Sequence, residues 1–234
     1  MTKRNITSPK SCNKFLPKGL KIIYEDRDIL IVDKPQGLLT MATDKEKTRT
    51  AYYALTDYVK KGYSKSKNRI FIVHRLDKDT SGILIFAKNE KAKHTLQDNW
   101  SETKKKYIAI VHGKLKKQSD TITTYLTENK TRIVYSTTDT KKGKLAKTAY
   151  KVIKETKFVS LLEIDLLTGR KHQIRVHLKG ISHPVVGDRK YGNDKAYKRM
   201  ALHASSISFN HPYTHKELIF KSKTPRYFND LMNA

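Results

Sequence analysis

Short apolar runs separated by polar, lysine-rich stretches dominate the chain, and most are too short and too β-branched to be helices. Ile22-Ile23-Tyr24 and Ile29-Leu30-Ile31-Val32 flank the polar Glu25-Asp26-Arg27-Asp28, predicting a β-hairpin that ends at Lys34-Pro35, with a turn at Pro35 and Gly37. Ile70 to Val73 and Ile83 to Ala87 read as two more strands, so the polar stretch 74–82 between them is a loop held at both ends. Helical spacing of Ala51, Leu55, Tyr58 and Val59 predicts a helix over 50–61 with Gly62 as its stop. Asn89 is placed to cap a second helix through about Trp100, with Ala92, Leu96 and Trp100 on one face. Further strands are predicted at 106–111, 148–152, 159–166, 202–209 and 217–221, and a short helix at 228–232. The Thr- and Lys-rich stretch 113–147 carries β-prone pieces at 121–125 and 132–136, which predict twisted surface hairpins. Segment 168–180 fits both periods. Ile174, Val176 and Leu178 alternate as in a strand, while Ile174, Leu178 and Ile181 share a helical face; Gly169 and Gly180 favour a compact helix with a glycine stop.

This order has no regular βαβ repeat, so the predicted class is α+β with a largely antiparallel central sheet and flanking helices. Residues 1–18 are polar and basic, with Pro9 and Pro17, and read as a flexible tail before one domain over 19–234. Charge narrows the partners. Lys plus Arg number 49 against 22 Asp plus Glu, a net +27, which calls for a polyanion. No apolar run approaches the roughly 20 residues of a spanning helix, so nucleic acid is preferred over membrane. The 13 tyrosines add aromatic faces among the cations, although most tyrosines are half-buried structural residues. Cys12 stands alone, which excludes an intramolecular disulfide and a cysteine metal cluster and points to a reducing compartment. With no apolar signal segment at the N-terminus, a cytoplasmic protein is expected.

The loop His74-Arg75-Leu76-Asp77-Lys78-Asp79-Thr80-Ser81-Gly82 is the candidate site. Arg75 and Lys78 flank Asp77, and adjacent cations favour the charged carboxylate, the form that attacks as a nucleophile. On local chemistry alone the structural alternative stands beside it: Asp77 and Asp79, with Thr80, Ser81 and Gly82, make an Asx-type turn between strands. His172, His177, His183 and His203 raise a metal question, but no H-E-x-x-H pattern or cysteine pair accompanies them, so structural hydrogen bonding is expected and no metal.

The string from His74 to Gly82 resembles the H-R-L-D-x-x-T-S-G motif of the RluA-type pseudouridine synthases, which isomerise uridine in RNA. Other stretches match in the family's order: Tyr24-Glu-Asp to Lys34-Pro-Gln-Gly37, Lys106-Tyr107-Ile-Ala109, Thr168-Gly-Arg170 with His172-Gln-Ile-Arg-Val-His-Leu178, Gly187-Asp188 with Tyr191-Gly192, and Leu202-His-Ala204 with His211-Pro212. The resemblance runs from about residue 20 to the end. It implies the family's catalytic fold, a sheet with a cleft, and a reaction in which the C1′–N1 bond breaks, the uracil turns and C5 rejoins the sugar. It implies Asp77 as the catalytic aspartate, Tyr107 as the active-site tyrosine and Arg175 as the arginine paired with the aspartate. Leu178 would line the uracil pocket, though a core leucine is nearly as good a reading, and Arg75 would enter the RNA where the uridine leaves. His74 is a possible base contact but reads better as a hydrogen-bonder holding the loop. Arg170 and Lys171 are candidate RNA contacts. Isomerisation needs no redox cofactor, ATP or metal, so no cofactor is expected. RNA, ribosomal or transfer, is the expected partner of a monomer without an S4 domain. Lys171 replaces the family's usual Thr, and Thr40-Met41-Ala42 replaces the usual V-H-P; neither departure is expected to touch the chemistry. Two other classes compete: a catalytically silent RNA-binding or ribosome-assembly factor, and, less well supported, a metal-dependent nuclease.

Overall fold

The apolar runs 29–32 and 83–87 do not alternate because both of their faces are buried. In the computed structural model, which describes residues 16–233, they form β2 (Ile29–Lys34) and β4 (Ser81–Ala87), paired antiparallel in full register from Ile29↔Ala87 to Lys34↔Gly82. Leu30, Val32, Leu84 and Phe86 face one core with Leu55 and Phe228, whereas Ile29, Ile31, Ile83 and Ile85 face a second core with Ala92 and Leu96. Two layers of helix therefore cover one sheet. On the first side sit α1 (Ala51–Lys60), capped by the Thr50 hydroxyl accepting from Tyr53 N–H, and the C-terminal α4 (Tyr227–Asn233). On the second sits α2 (Glu90–Asp98), whose cap is Asn89, as its sequence predicts.

The remaining strands are β1 (Lys21–Glu25), β3 (Phe71–Ile72), β5 (Lys104–His112), β6 (Ser119–Glu128), β7 (Val134–Thr137), β8 (Lys144–Glu155), β9 (Val159–Leu166), β10 (Leu202–Asn210) and β11 (Glu217–Lys221). They join one 11-stranded sheet in the order β1-β2-β4-β10-β5-β9-β8-β6-β7, with β3 beside β4 and β11 beside β10. Every pairing is antiparallel except the short contact of β10 with β4. The class is α+β. The hairpin expected over 113–147 is present, β6 pairing with β7, but it extends this sheet through β8 and β9 and buries one of its faces. The alternating Thr and Lys residues here concealed an inner face: Leu126, Val134 and Ala146 bury against Val176 of α3 (Gln173–Gly180). The 168–180 ambiguity resolves as that helix, but Gly180 is its last residue and not its stop. The left-handed turn falls at Ser182, φ 67°, where the chain must reverse to reach His183. The tail predicted over 1–18 lies, up to residue 15, outside the described residues, as does Cys12.

The β10–β4 contact fixes where the candidate loop ends. Gly82 has φ 111°, and a Cβ there would lie 2.2 Å from the Ala204 carbonyl oxygen, so only glycine lets the two strands meet. Beside it the Ser81 hydroxyl bonds His203 Nδ1 at 2.9 Å, tying the T-S-G stretch to the L-H-A stretch.

Candidate active site

The loop that leaves β3 and enters β4 is held from behind by the segment that follows β2. Thr40 Oγ1 donates to the Leu76 carbonyl at 2.8 Å and accepts from Leu76 N–H at 3.2 Å. Gly37 N–H donates to the Lys78 carbonyl at 2.8 Å. His74 Nε2 accepts from Ile85 N–H at 3.1 Å, which anchors the loop to β4 as a holding role requires. The residue before Asp77 and the residue after it are therefore both pinned to the 34–40 segment. Thr40, in the 40–42 stretch that departs from the family pattern, thus holds the backbone of the residue next to the candidate carboxylate. The loop's turn closes through the backbone, Thr80 N–H to the Asp77 carbonyl. Neither aspartate side chain makes an Asx turn among the described residues. Asp79 is exposed, and the Asp77 carboxylate is engaged elsewhere.

Asp77 Oδ2 accepts from Arg175 Nη1 at 2.8 Å. The other edge of the same guanidinium grips Asp188: Nε to Oδ2 at 2.7 Å and Nη2 to Oδ1 at 2.8 Å. Asp188 is 1% exposed and also accepts from the backbone N–H groups of Lys190 and Tyr191, so its oxygens are fully used. Burial opposes the charge on Asp188, but the bonds and charge of Arg175 outweigh it and lower its pKa. Burial likewise opposes the charge on Arg175, and the two carboxylates outweigh it and raise its pKa. Just before Asp188, Gly187 lets the chain pass close to the 199–200 backbone: at φ 77° a Cβ there would meet the Arg199 carbonyl oxygen at 2.1 Å. His172 stands on the far side, Nε2 3.7 Å from Asp77 Oδ1, with Nδ1 bonded to the Tyr191 hydroxyl at 2.7 Å. Its backbone is left-handed at φ 53°, a conformation disfavoured for any side chain. Burial, together with the charges of Arg175, Lys190 and Lys171 and against the pull of Asp77, holds the ring down at about 4, so it is neutral at pH 7.

Asp77 lies where two cavities meet. The larger, about 750 Å³, is open and lined by Arg75, Lys78, Arg132, Lys171, Arg189, Lys190 and Lys198, with Met41 and Ala42 on its rim. The smaller, about 290 Å³, is lined by Tyr107, Leu166, Ile174 and Leu202 as well as Asp77, Arg175 and His172. Tyr107 is buried, and that burial with the charge of Asp77 pushes its hydroxyl pKa well up, so it stays a neutral donor. Arg75 is exposed at the mouth of both cavities and pairs with no described residue. Lys171 lines the larger cavity but is paired with Glu128, and Arg170 lines the smaller with its Nε on the Leu145 carbonyl at 3.0 Å. Leu178 corrects its expected role: it is 0% exposed and packs in the main core, away from both cavities. Leu178 follows Ile174 by one turn on the same face of α3, which carries it one turn beyond the cavity that Ile174 lines and into the core.

The comparisons with known proteins agree with this geometry. Residues 28–180 match the RNA pseudouridylate synthase family. The chain belongs to that family. It is 38% identical to the ribosomal large subunit pseudouridine synthase C of Rickettsia bellii, over 89% of this chain and 69% of that protein. It is 36% identical to the RNA pseudouridine synthase MG209 of Mycoplasma genitalium, over 92% of this chain and 70% of the relative. The solved structure of human RNA pseudouridylate synthase domain containing 1 superposes with a TM-score of 0.72 at 26% identity, covering 94% of this chain and 87% of that one. A pseudouridine synthase is an isomerase, and that is the reaction class of this chain.

Sequence reasoning passed over three members of this candidate site. Asp188 and His172 lay inside matched motifs but carried no local signal, since their partners are distant in sequence. Lys34 was the harder case, a lysine at the end of a strand in a lysine-rich chain. It is 0% exposed, and its ammonium donates to the carbonyls of Leu38 at 2.8 Å, Pro35 at 3.0 Å and Lys78 at 3.2 Å, directly behind the Asp77 loop. Burial pulls its pKa down to about 7, against the charges of Asp79, Asp77 and Asp33. A lysine depressed on folding binds fewer protons folded than unfolded, so the penalty for its charge is complete below pH 7 and fades as pH rises toward 10.5. Across that window the wild type is expected to gain up to ~1.4 kcal/mol per pH unit over Lys34→Met. Urea unfolding at pH 7.5 and 9.5 reads it; a stability difference that does not change with pH would refute the assignment.

The four histidines of the later chain do not converge. His177 bonds the Thr148 and Thr124 hydroxyls, His183 the His112 carbonyl, and His203 Ser81. No described helix is long and apolar enough to cross a membrane.

Proposed function

We propose that Asp77 is the catalytic carboxylate and that the uridine it acts on comes from ribosomal RNA. The observation that carries this reading is the place of Asp77 where a large cation-lined cavity meets a smaller one lined by Tyr107, Leu166, Ile174 and Leu202. Polyanion and base have separate, adjoining compartments. A uridine inside a stem exposes neither its C1′ nor its C5, so it has to leave the stack to reach this point. Arg75, unpaired at the mouth, fills the vacancy by stacking its guanidinium between neighbouring bases. Inside this smaller cavity Tyr107 stacks on the uracil, and its neutral hydroxyl relays the proton that leaves C5, releasing its own O–H proton toward solvent as it takes that one. Arg175, locked by Asp188, holds the Asp77 carboxylate in one orientation toward the sugar and base. Arg170 and Lys171 border the path of the strand, and His74 supports the loop from β4. The reaction only exchanges a C–N for a C–C bond and one C5 proton, so these side chains suffice without a cofactor.

The enzyme is taken as a cytoplasmic monomer. Ribosomal RNA is favoured because relatives covering most of the chain carry large-subunit names. Mapping pseudouridines by carbodiimide-stop sequencing in cells with and without the gene tests the substrate. One or more large-subunit sites are expected to vanish on deletion and return with the wild-type gene. Loss of transfer-RNA sites alone would overturn the ribosomal assignment, and no lost site anywhere would favour a silent binding factor.

A further inference from the structure

The smaller cavity has a second end that the proposed chemistry does not use. Lys105 and Tyr107 lie two residues apart on β5 and both line it, so it runs about 7 Å along the strand beyond the base slot. Its far end is bordered by His74, Trp100, Lys105 and Arg170. A Cβ at Gly169 would lie 3.9 Å from the Trp100 indole nitrogen, so the indole spans toward the 167–172 loop.

Every polar side-chain group there has a hydrogen to give, and the one side-chain acceptor, His74 Nε2, is already taken by Ile85 N–H. Lys105 is 8% exposed, with its Nζ 5.2 Å from the Trp100 ring centroid and a single bond, 3.3 Å, to the Trp100 carbonyl. An ammonium has three donors, so two are unspent among the described residues. Arg170 uses Nε on a carbonyl and keeps its terminal nitrogens, and the indole offers one N–H. His74 accepts at Nε2 and, with burial and Lys105 holding it down at about 3, its neutral ring carries the proton on Nδ1. Among the described residues no carboxylate pairs with Lys105 or Arg170, although an unpaired buried ammonium is costly. Burial lowers the pKa of Lys105 accordingly.

We propose that this end is a subsite for a phosphodiester of the RNA strand beside the target uridine, held by Lys105 and Arg170. The proposal rests on reading the Asp77 end as the uridine site, but its test needs no turnover. Trp100 is the sole tryptophan, so its fluorescence reports from the subsite itself. The probes are octauridylate and the same octamer with an uncharged methylphosphonate backbone. The wild type is expected to change its emission with the first and not with the second. Lys105→Gln and Arg170→Gln should each weaken octauridylate binding about tenfold at low salt. In Lys105→Gln the slope of log affinity against log salt should shrink by about 0.7, and Lys105→Arg should restore most of it. Equal responses to both octamers would mean that bases, not phosphates, occupy the site, and unchanged affinity in both variants would also overturn the proposal. Tritium release measured alongside separates the two readings: turnover without the fluorescence response defeats only the subsite, and the response without turnover defeats only the uridine chemistry.

Discussion

Asp77→Asn is expected to abolish tritium release from RNA labelled at uracil C5, by about 10⁴-fold or more, while leaving the fold and RNA binding largely intact. The geometry explains why the loss should be so selective. Asparagine keeps the size of the side chain, and its amide oxygen still accepts from Arg175 Nη1 where the Asp77 oxygen now sits at 2.8 Å. The buried partner of Arg175 is Asp188, which the substitution leaves in place with both of its bonds. RNA affinity comes mainly from the cations around the larger cavity, none of which changes. What disappears is the one carboxylate that faces both cavities. Asp79→Asn is the control: Asp79 sits in the same loop but is exposed and bonds to none of these groups. If the two variants proved equally damaged in correctly folded protein, Asp77 would lose its special role.

Much of this arrangement was legible in the sequence, and what was not had a common cause. Local signals worked: the Asn89 cap starts its helix, and the runs 29–32 and 83–87 become adjacent strands. Composition misled at 113–147, because an alternation of Thr and Lys hides an inner face of small and apolar residues that only α3 reveals. At the site, motif resemblance named Asp77, Tyr107 and Arg175, which the fold brings to one cavity. It could not show that Asp188 braces Arg175 or that Lys34 props the loop, since both act on groups far along the chain, through contacts with no local pattern. At Leu178 the core alternative is the one the fold takes, since one helical turn past Ile174 carries it beyond the cavity.

The brace itself makes the sharpest demand on the structure. Arg175→Met is expected to destabilise the protein by ~3–5 kcal/mol, because it strands Asp188, 1% exposed, without its counter-charge. Asp188→Leu should cost less, because the guanidinium keeps Asp77 as a partner through Nη1, and the double variant should cost clearly less than the sum, since neither member of the buried Arg175–Asp188 pair is left without the other. Urea unfolding of the four proteins measures this, and simple additivity would mean that the pair carries no coupled energy. Arg175→Lys separates stability from catalysis. A lysine keeps the positive charge but cannot offer two edges, so it can satisfy Asp188 or Asp77 and not both in the present geometry. The fold should survive with Asp188 neutralised, while Asp77 loses its fixed orientation and single-turnover tritium release falls about 10²-fold. Because the Asp77 carboxylate is still present, that loss would fall on turnover and not on RNA affinity. A lysine variant as fast as the wild type would show that charge near Asp77 is enough, and that the fork between the two aspartates serves only the fold.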